Sequence, residues 1–218
     1  MADATLVRLG SIAEHRWGLV TTAQAEAAGV SRKQLSRMAS AGAIERVAQG
    51  VYRMAGAPPQ DHEALYATWL ALGGATAPRT GAGVASIVAA GITAATVHDI
   101  GDFFLDGFDF MVPARKGTRL PGVRLRIRQL TRDEVIPVQG LPTLTVERTL
   151  ADLVELGTDV SLVAGAVRDA VRADKLVAPD RFASYLDPIA AQRRSDGGSL
   201  ANDLFDLAGV SPQGWDRD

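Results

Sequence analysis

LVTTAQAEAAGVSRKQLSRMASAGAIERVAQGVYRM, residues 19–54, reads as a helix, a tight turn, a second helix and a two-stranded wing, the order of a winged helix-turn-helix. A hydroxyl at Thr21 or Thr22 can accept an orphan amide of a first turn, so a helix is predicted through Ala23 to Ala28, with Gly29 supplying the turn. Ser31 is placed to cap a second helix from Arg32 to about Ala41, which Gly42 ends. On that helix Leu35 and Met38, with Val30 and Ala39, fall on one side at helical spacing and should pack inward. Lys33, Ser36, Arg37 and Ser40 fall on the other side, with Arg32 near the start. Cations can meet phosphates or guanine edges, and small hydroxyl residues let a helix enter a groove about 12 Å wide. The plain alternative is a solvated face.

The wing favours the nucleic-acid reading. Ile44 to Val47 and Val51 to Met54 are β-prone runs joined by Ala48, Gln49 and Gly50, a hairpin with glycine in its turn. Arg46 and Arg53 would lie on it, within reach of phosphates beside the occupied groove. The candidate DNA-binding residues are therefore Ser31, Arg32, Lys33, Ser36, Arg37, Ser40, Arg46 and Arg53.

This stretch resembles the N-terminal winged-helix domain of the AbiEi family of bacterial antitoxins, whose wing carries a Gly-x-Tyr turn into its second strand, here Gly50-Val51-Tyr52. Downstream, LPTLTVERTLADLVELG, Leu141 to Gly157, resembles the strand, Thr-x-x-Arg-Thr-Leu and helix of the family's C-terminal domain. Members often begin the middle helix with a Ser-His-x-Ser-like run; Pro78 to Gly83 reads PRTGAG instead, and no functional residue is carried over there. The resemblance implies an operator-binding N-terminal domain, an antitoxin C-terminal domain, repression of the protein's own operon and a nucleotidyltransferase-type toxin as counterpart. Its partners would be double-stranded operator DNA, expected as an inverted repeat, and the cognate toxin, met directly or indirectly.

At 218 residues and 47% apolar content the chain can bury a proper core. It has no cysteine, which excludes disulfides and thiolate chemistry and fits a reducing cytoplasm. No signal peptide or membrane span is expected. The net charge of −2 is unevenly spread: residues 1–56 hold 7 Lys/Arg against 4 Asp/Glu, residues 57–140 hold 8 against 8, and residues 141–218 hold 8 against 13. A basic head on an acidic tail fits a molecule of which only part approaches phosphate.

AGAPPQ, residues 55–60, breaks all periodicity, which predicts a boundary between a winged helix at 1–56 and an α+β domain at 57–218. Ahead of the motif, residues 4–16 read as a helix with Leu6, Leu9, Ile12 and Ala13 inward, and Trp17 as a buried anchor. Beyond it, helices are predicted at Asp61 to Leu72, Gly83 to Ala90, Thr145 to Leu156, Val160 to Ala173, Pro179 to Ala190 and Ser199 to Ala208. Strands are predicted at Phe108 to Val112, Val123 to Arg128, Val135 to Val138 and Leu141 to Leu144, in a small and mainly antiparallel sheet. The chain's end is expected to be mobile unless Trp215 docks.

In VRLRIR, residues 123–128, strict alternation puts Val123, Leu125 and Ile127 inward and Arg124, Arg126 and Arg128 on one wet face. With Arg115, Lys116 and Arg119 just before them, these form a possible second basic surface: a phosphate track, a partner surface or a face balanced by the protein's own acids. No catalytic constellation is visible. His15, His62 and His98 are isolated, no glycine run is followed by Lys-Ser/Thr, and no cofactor or metal is expected. Besides the antitoxin, the alternatives are a stand-alone regulator with a sensing or partner-binding C-terminal domain and a metal-dependent nuclease using Asp109; the second strand offers arginines where a nuclease needs an acid and a lysine.

Overall fold

Both helices of the quoted stretch begin on a capping box in the structure, a computed structural model that describes residues 2–192 and 196–215. Thr21 Oγ1 accepts from Gln24 N while Gln24 Oε1 accepts from Thr21 N, starting α2 (Thr22–Ala27). Ser31 and Gln34 repeat the arrangement to start α3 (Arg32–Ser40). Between the helices Gly29 takes φ +79°, where a side chain would be strained. Helix α1 (Ala2–Ala13) supplies Leu9 to a buried cluster with Val20, Ala25, Val30, Leu35 and Ile44. Leu6, expected on that inner face, is 40% exposed.

The wing is β2 (Ile44–Ala48) antiparallel to β3 (Val51–Met54), with a bulge between Arg46 and Ala48. A third strand, β1 (Leu19–Thr21), pairs with the other edge of β3, so the sheet has three strands where the sequence indicated two. A three-residue strand ending on a helix cap is too short to show a period.

The first compact unit runs to Pro78 and includes Thr118–Leu120; the second takes Arg79–Gly117 and the chain from Pro121 onward. The first unit therefore extends past the boundary expected at 56/57 and keeps helix α4 (Glu63–Ala71). Tyr66 on α4 stacks on Trp17 at 4.4 Å between ring centroids, and Glu63 pairs with Arg53 at 3.1 Å. Pro58 and Pro59 break periodicity without ending the unit.

The second unit's sheet has the order β6-β5-β4-β8-β7, with β4 (Val88–Ala89), β5 (Phe108–Val112), β6 (Val123–Ile127), β7 (Val135–Val138) and β8 (Leu141–Leu144). Pairs β4/β5 and β7/β8 are antiparallel, β5/β6 and β4/β8 parallel. The α+β class holds, but this sheet is evenly mixed rather than mainly antiparallel. The helix expected at Gly83 to Ala90 is not formed. Val84, Ile87 and Val88 are buried, β4 sits mid-sheet, and the helix comes later as α5 (Gly91–Val97). A small-residue run suits a helix by propensity, yet burial in a central strand overrides it.

Helices α6 (Val146–Glu155), α7 (Val160–Arg172), α8 (Pro179–Gln192) and α9 (Gly197–Ala208) share a core that includes Leu150, Val163, Phe182, Leu186 and Phe205. Trp215 docks: its Nε1 donates to Asn202 Oδ1 at 2.7 Å and its ring meets Phe205 edge-on. Residues 193–195, and residues 216–218 of the end expected to be mobile, lie outside the described residues. Among the described residues no helix is long and apolar enough to cross a membrane.

Candidate nucleic-acid interface

Helix α3 turns two chemically distinct faces outward and inward. Leu35 is fully buried, with Met38 and Ala39 packed beside it, so the helix is held by its apolar side. Lys33, Ser36, Arg37 and Ser40 are exposed on the other side. Neither Lys33 nor Arg37 has a carboxylate within ion-pair distance among the described residues. Ser31 is occupied as the N-cap. Arg32 Nε meets Glu26 Oε1 at 2.9 Å, both side chains largely in solvent, a pairing that contributes about 0–1 kcal/mol and is readily exchanged.

The two wing arginines separate. Register pairs Arg46 with Tyr52 and Glu45 with Arg53, so Arg46 and Arg53 lie on opposite faces of the hairpin. Arg46 is exposed, with its Nε 3.4 Å from the Ala48 carbonyl oxygen. Arg53 does not offer a free cation: its side chain is only 19% exposed and sits between Glu45 and Glu63. Those two carboxylates raise its pKa above the ordinary arginine value. Sequence periodicity could not reveal this, because Glu63 comes from α4.

The arginine strand takes one of its three expected forms, a face balanced by the protein's own acids. Its arginines face the layer that contains α6, each against an acid: Arg124 Nε with Asp109 Oδ1 at 2.8 Å, Arg126 Nη1 with Asp152 Oδ1 at 2.8 Å, and Arg128 Nη1 with Glu155 Oε2 at 2.8 Å. Arg124 also reaches Asp106 at 3.2 Å. Ile127, expected inward, is 62% exposed. Alternation separates polar from apolar positions but does not say which side the carboxylates of β5 and α6 will occupy. Burial lowers the Arg126 pKa, but Asp152, together with Asp109 and Glu155, outweighs it and leaves it raised. Arg115, Lys116 and Arg119 are exposed; Arg119 falls within the Thr118–Leu120 segment of the first unit, the other two in the second. Of the six residues, Arg124, Arg126 and Arg128 are thus engaged by carboxylates.

Arg148, the arginine of the Thr-x-x-Arg-Thr-Leu segment, is one of the largest fully buried side chains, which its spacing alone does not reveal. Its Nη2 donates to Glu155 Oε2 at 2.6 Å, its Nε lies 3.8 Å from Glu134 Oε1, and its guanidinium stands 5.3 Å from the Tyr185 ring centroid. The readable signal was Arg148, Asp152 and Glu155 at i, i+4 and i+7, a charged row on one helix side. Burial works against ionisation of Glu155, but Arg128 and Arg148 outweigh it and hold the carboxyl below its ordinary value.

The acids a nuclease would use are tied up in these pairs: Asp109, 5% exposed, is bound by Arg124. Among the described residues no group of three or more His, Asp or Glu side chains is arranged to hold a metal ion. His98 Nε2 donates to the Leu144 carbonyl oxygen at 2.6 Å, a structural contact, and burial lowers its pKa.

No curated protein matches the chain. Among solved structures, the fold is similar to that of the RV2827C protein from Mycobacterium tuberculosis, with TM-score 0.55 and 19% identity over 93% of this chain and 76% of that one, a likeness of fold alone. Residues 8–55, which span the capped helices and the wing just described, match the family described as "Transcriptional regulator, AbiEi antitoxin". Over residues 8–55 the winged helix of this chain is thus similar to the AbiEi antitoxin family of transcriptional regulators.

Proposed function

We propose that the protein is a DNA-binding antitoxin that represses its own toxin–antitoxin operon and counteracts a nucleotidyltransferase-type toxin, without catalysis of its own. The observation that carries the DNA-binding part is the exposed face of α3, where among the described residues Lys33 and Arg37 have no carboxylate partner while Leu35 anchors the opposite side. On this reading Lys33, Ser36, Arg37 and Ser40 enter the major groove of an inverted-repeat operator, and Arg46 reaches a flanking phosphate. Arg32 exchanges Glu26 for phosphate. Arg53 serves the hairpin from within. The toxin class follows from the family resemblance, and the antitoxin role is assigned to the second unit on the same ground.

The test pairs a gel shift on the DNA upstream of the protein's own operon with growth on co-expression of the adjacent reading frame. Retarded DNA and restored growth support both halves. Retarded DNA without protection would reduce the protein to a stand-alone regulator, and no retardation would remove the operator reading.

A further inference from the structure

Two arginines of the second unit converge on one residue, Gly83. Arg79 donates from Nη1 to the Gly83 carbonyl oxygen at 2.8 Å. Arg132 lies against the same residue: a Cβ placed on Gly83 would stand 3.6 Å from Arg132 Nε and 3.9 Å from its Cζ. Arg132 is delivered by the 3-10 turn Arg132–Glu134, which begins on a capping box with Thr131. The buried Glu134 accepts from Thr131 N at 2.8 Å and approaches Arg148, which turns Glu134 inward and leaves Arg132 exposed.

Neither cation is neutralised among the described residues. Arg124, Arg126, Arg128 and Arg148 each have a carboxylate, whereas among the described residues Arg79 and Arg132 have none. They border an open hollow of about 310 Å³ whose other walls are the apolar Val84, Ala85, Val135, Pro137 and Pro142, with Gly83. Two guanidinium forks beside an apolar wall match a ligand with an oxyanion at one end and carbon at the other.

We infer that Arg79 and Arg132 form a binding site for a small organic oxyanion, a phosphate ester or a carboxylate on a compact apolar body. The site goes beyond the operator and antitoxin reading and does not depend on it. It would make the second unit a ligand-responsive part of the regulator.

Isothermal titration of the full chain at fixed ionic strength tests this with three probes: phenyl phosphate, benzoate and inorganic phosphate. One of the two aromatic anions should bind more tightly than inorganic phosphate, and the tighter of the two identifies the oxyanion. Arg79→Gln and Arg132→Gln should each weaken that binding about tenfold or more, the loss expected for a charge-assisted hydrogen bond, and the double variant should abolish it at an unchanged melting temperature. Arg172→Gln, an exposed cation elsewhere in the unit, should bind as the wild type does. Absence of binding by both aromatic anions overturns the site. So does binding that survives in the double variant, or that falls equally in Arg172→Gln, which would mark diffuse surface charge.

Discussion

Arg126 and Asp152 meet in a two-point pair, Nη1 on Oδ1 at 2.8 Å and Nη2 on Oδ2, with the aspartate side chain wholly buried. Asp152 Oδ2 also accepts the Gly91 amide at 2.9 Å, so one carboxylate ties β6 to the start of α5. Removing it strands a guanidinium and a buried amide together. Asp152→Ala should therefore cost about 3–5 kcal/mol. For a chain of this size that lowers the melting temperature by on the order of 10 °C. Arg124→Gln, whose side chain is 54% exposed, should stay within about 1 kcal/mol. Urea melts of the two variants check the contrast, and equal losses would refute the assignment of a buried anchor at Asp152.

Because their charges are balanced internally, the β6 arginines should matter to stability and not to DNA. The triple variant Arg124→Gln, Arg126→Gln and Arg128→Gln should melt earlier and keep wild-type operator affinity, compared at a temperature where both are folded. An affinity loss in the folded triple variant would restore the phosphate track.

Lys33→Ala and Arg37→Ala should do the opposite. Both side chains are exposed, so the fold should hold, and each lost phosphate contact should lower the log–log salt slope of operator binding by about 0.9. Arg53→Ala should leave that slope unchanged while loosening the hairpin, since its partners are Glu45 and Glu63. Gel shifts across a salt series, with melting curves alongside, distinguish the two classes.

Glu155 carries a pH signature. Its folded-state pKa is depressed by Arg128 and Arg148, so the folded carboxyl takes up a proton less readily than the unfolded one. The stability it contributes is thus present above the unfolded value, about 4.3, and is lost as pH falls through the lower folded value. Glu155→Gln should be less stable than wild type near neutrality and lose less stability on acidification. Denaturant midpoints below about pH 5 would show this, and parallel pH profiles would count against it.

The fragment boundary follows from Trp17 and Tyr66. A fragment beginning at Arg79 should be soluble and fold alone. One beginning at Gln60 would carry α4 without the first unit and bare Tyr66, whose ring stacks on Trp17, and should aggregate or bind a hydrophobic dye. Dye binding and size-exclusion profiles of the two fragments check this.

Local chemistry was legible in the sequence. Thr21 and Ser31 announce helix starts because a hydroxyl caps the turn that follows it, and Gly29 and Gly50 mark backbone with positive φ that a side chain would strain. Leu35 against Lys33 and Arg37 separates inside from outside because a helix repeats every 3.6 residues. Only tertiary structure decided what those patterns meet. Arg53 is claimed by a glutamate from a helix ten residues on, and β4 emerges from a helix-like run because strands flank it on both sides. The arginines of β6 read as a wet face, but carboxylates 15 to 27 residues away in sequence turn them to a packed one. Periodicity reports how polarity is arranged along one element; the partner of a charge is set by which other element folds against it.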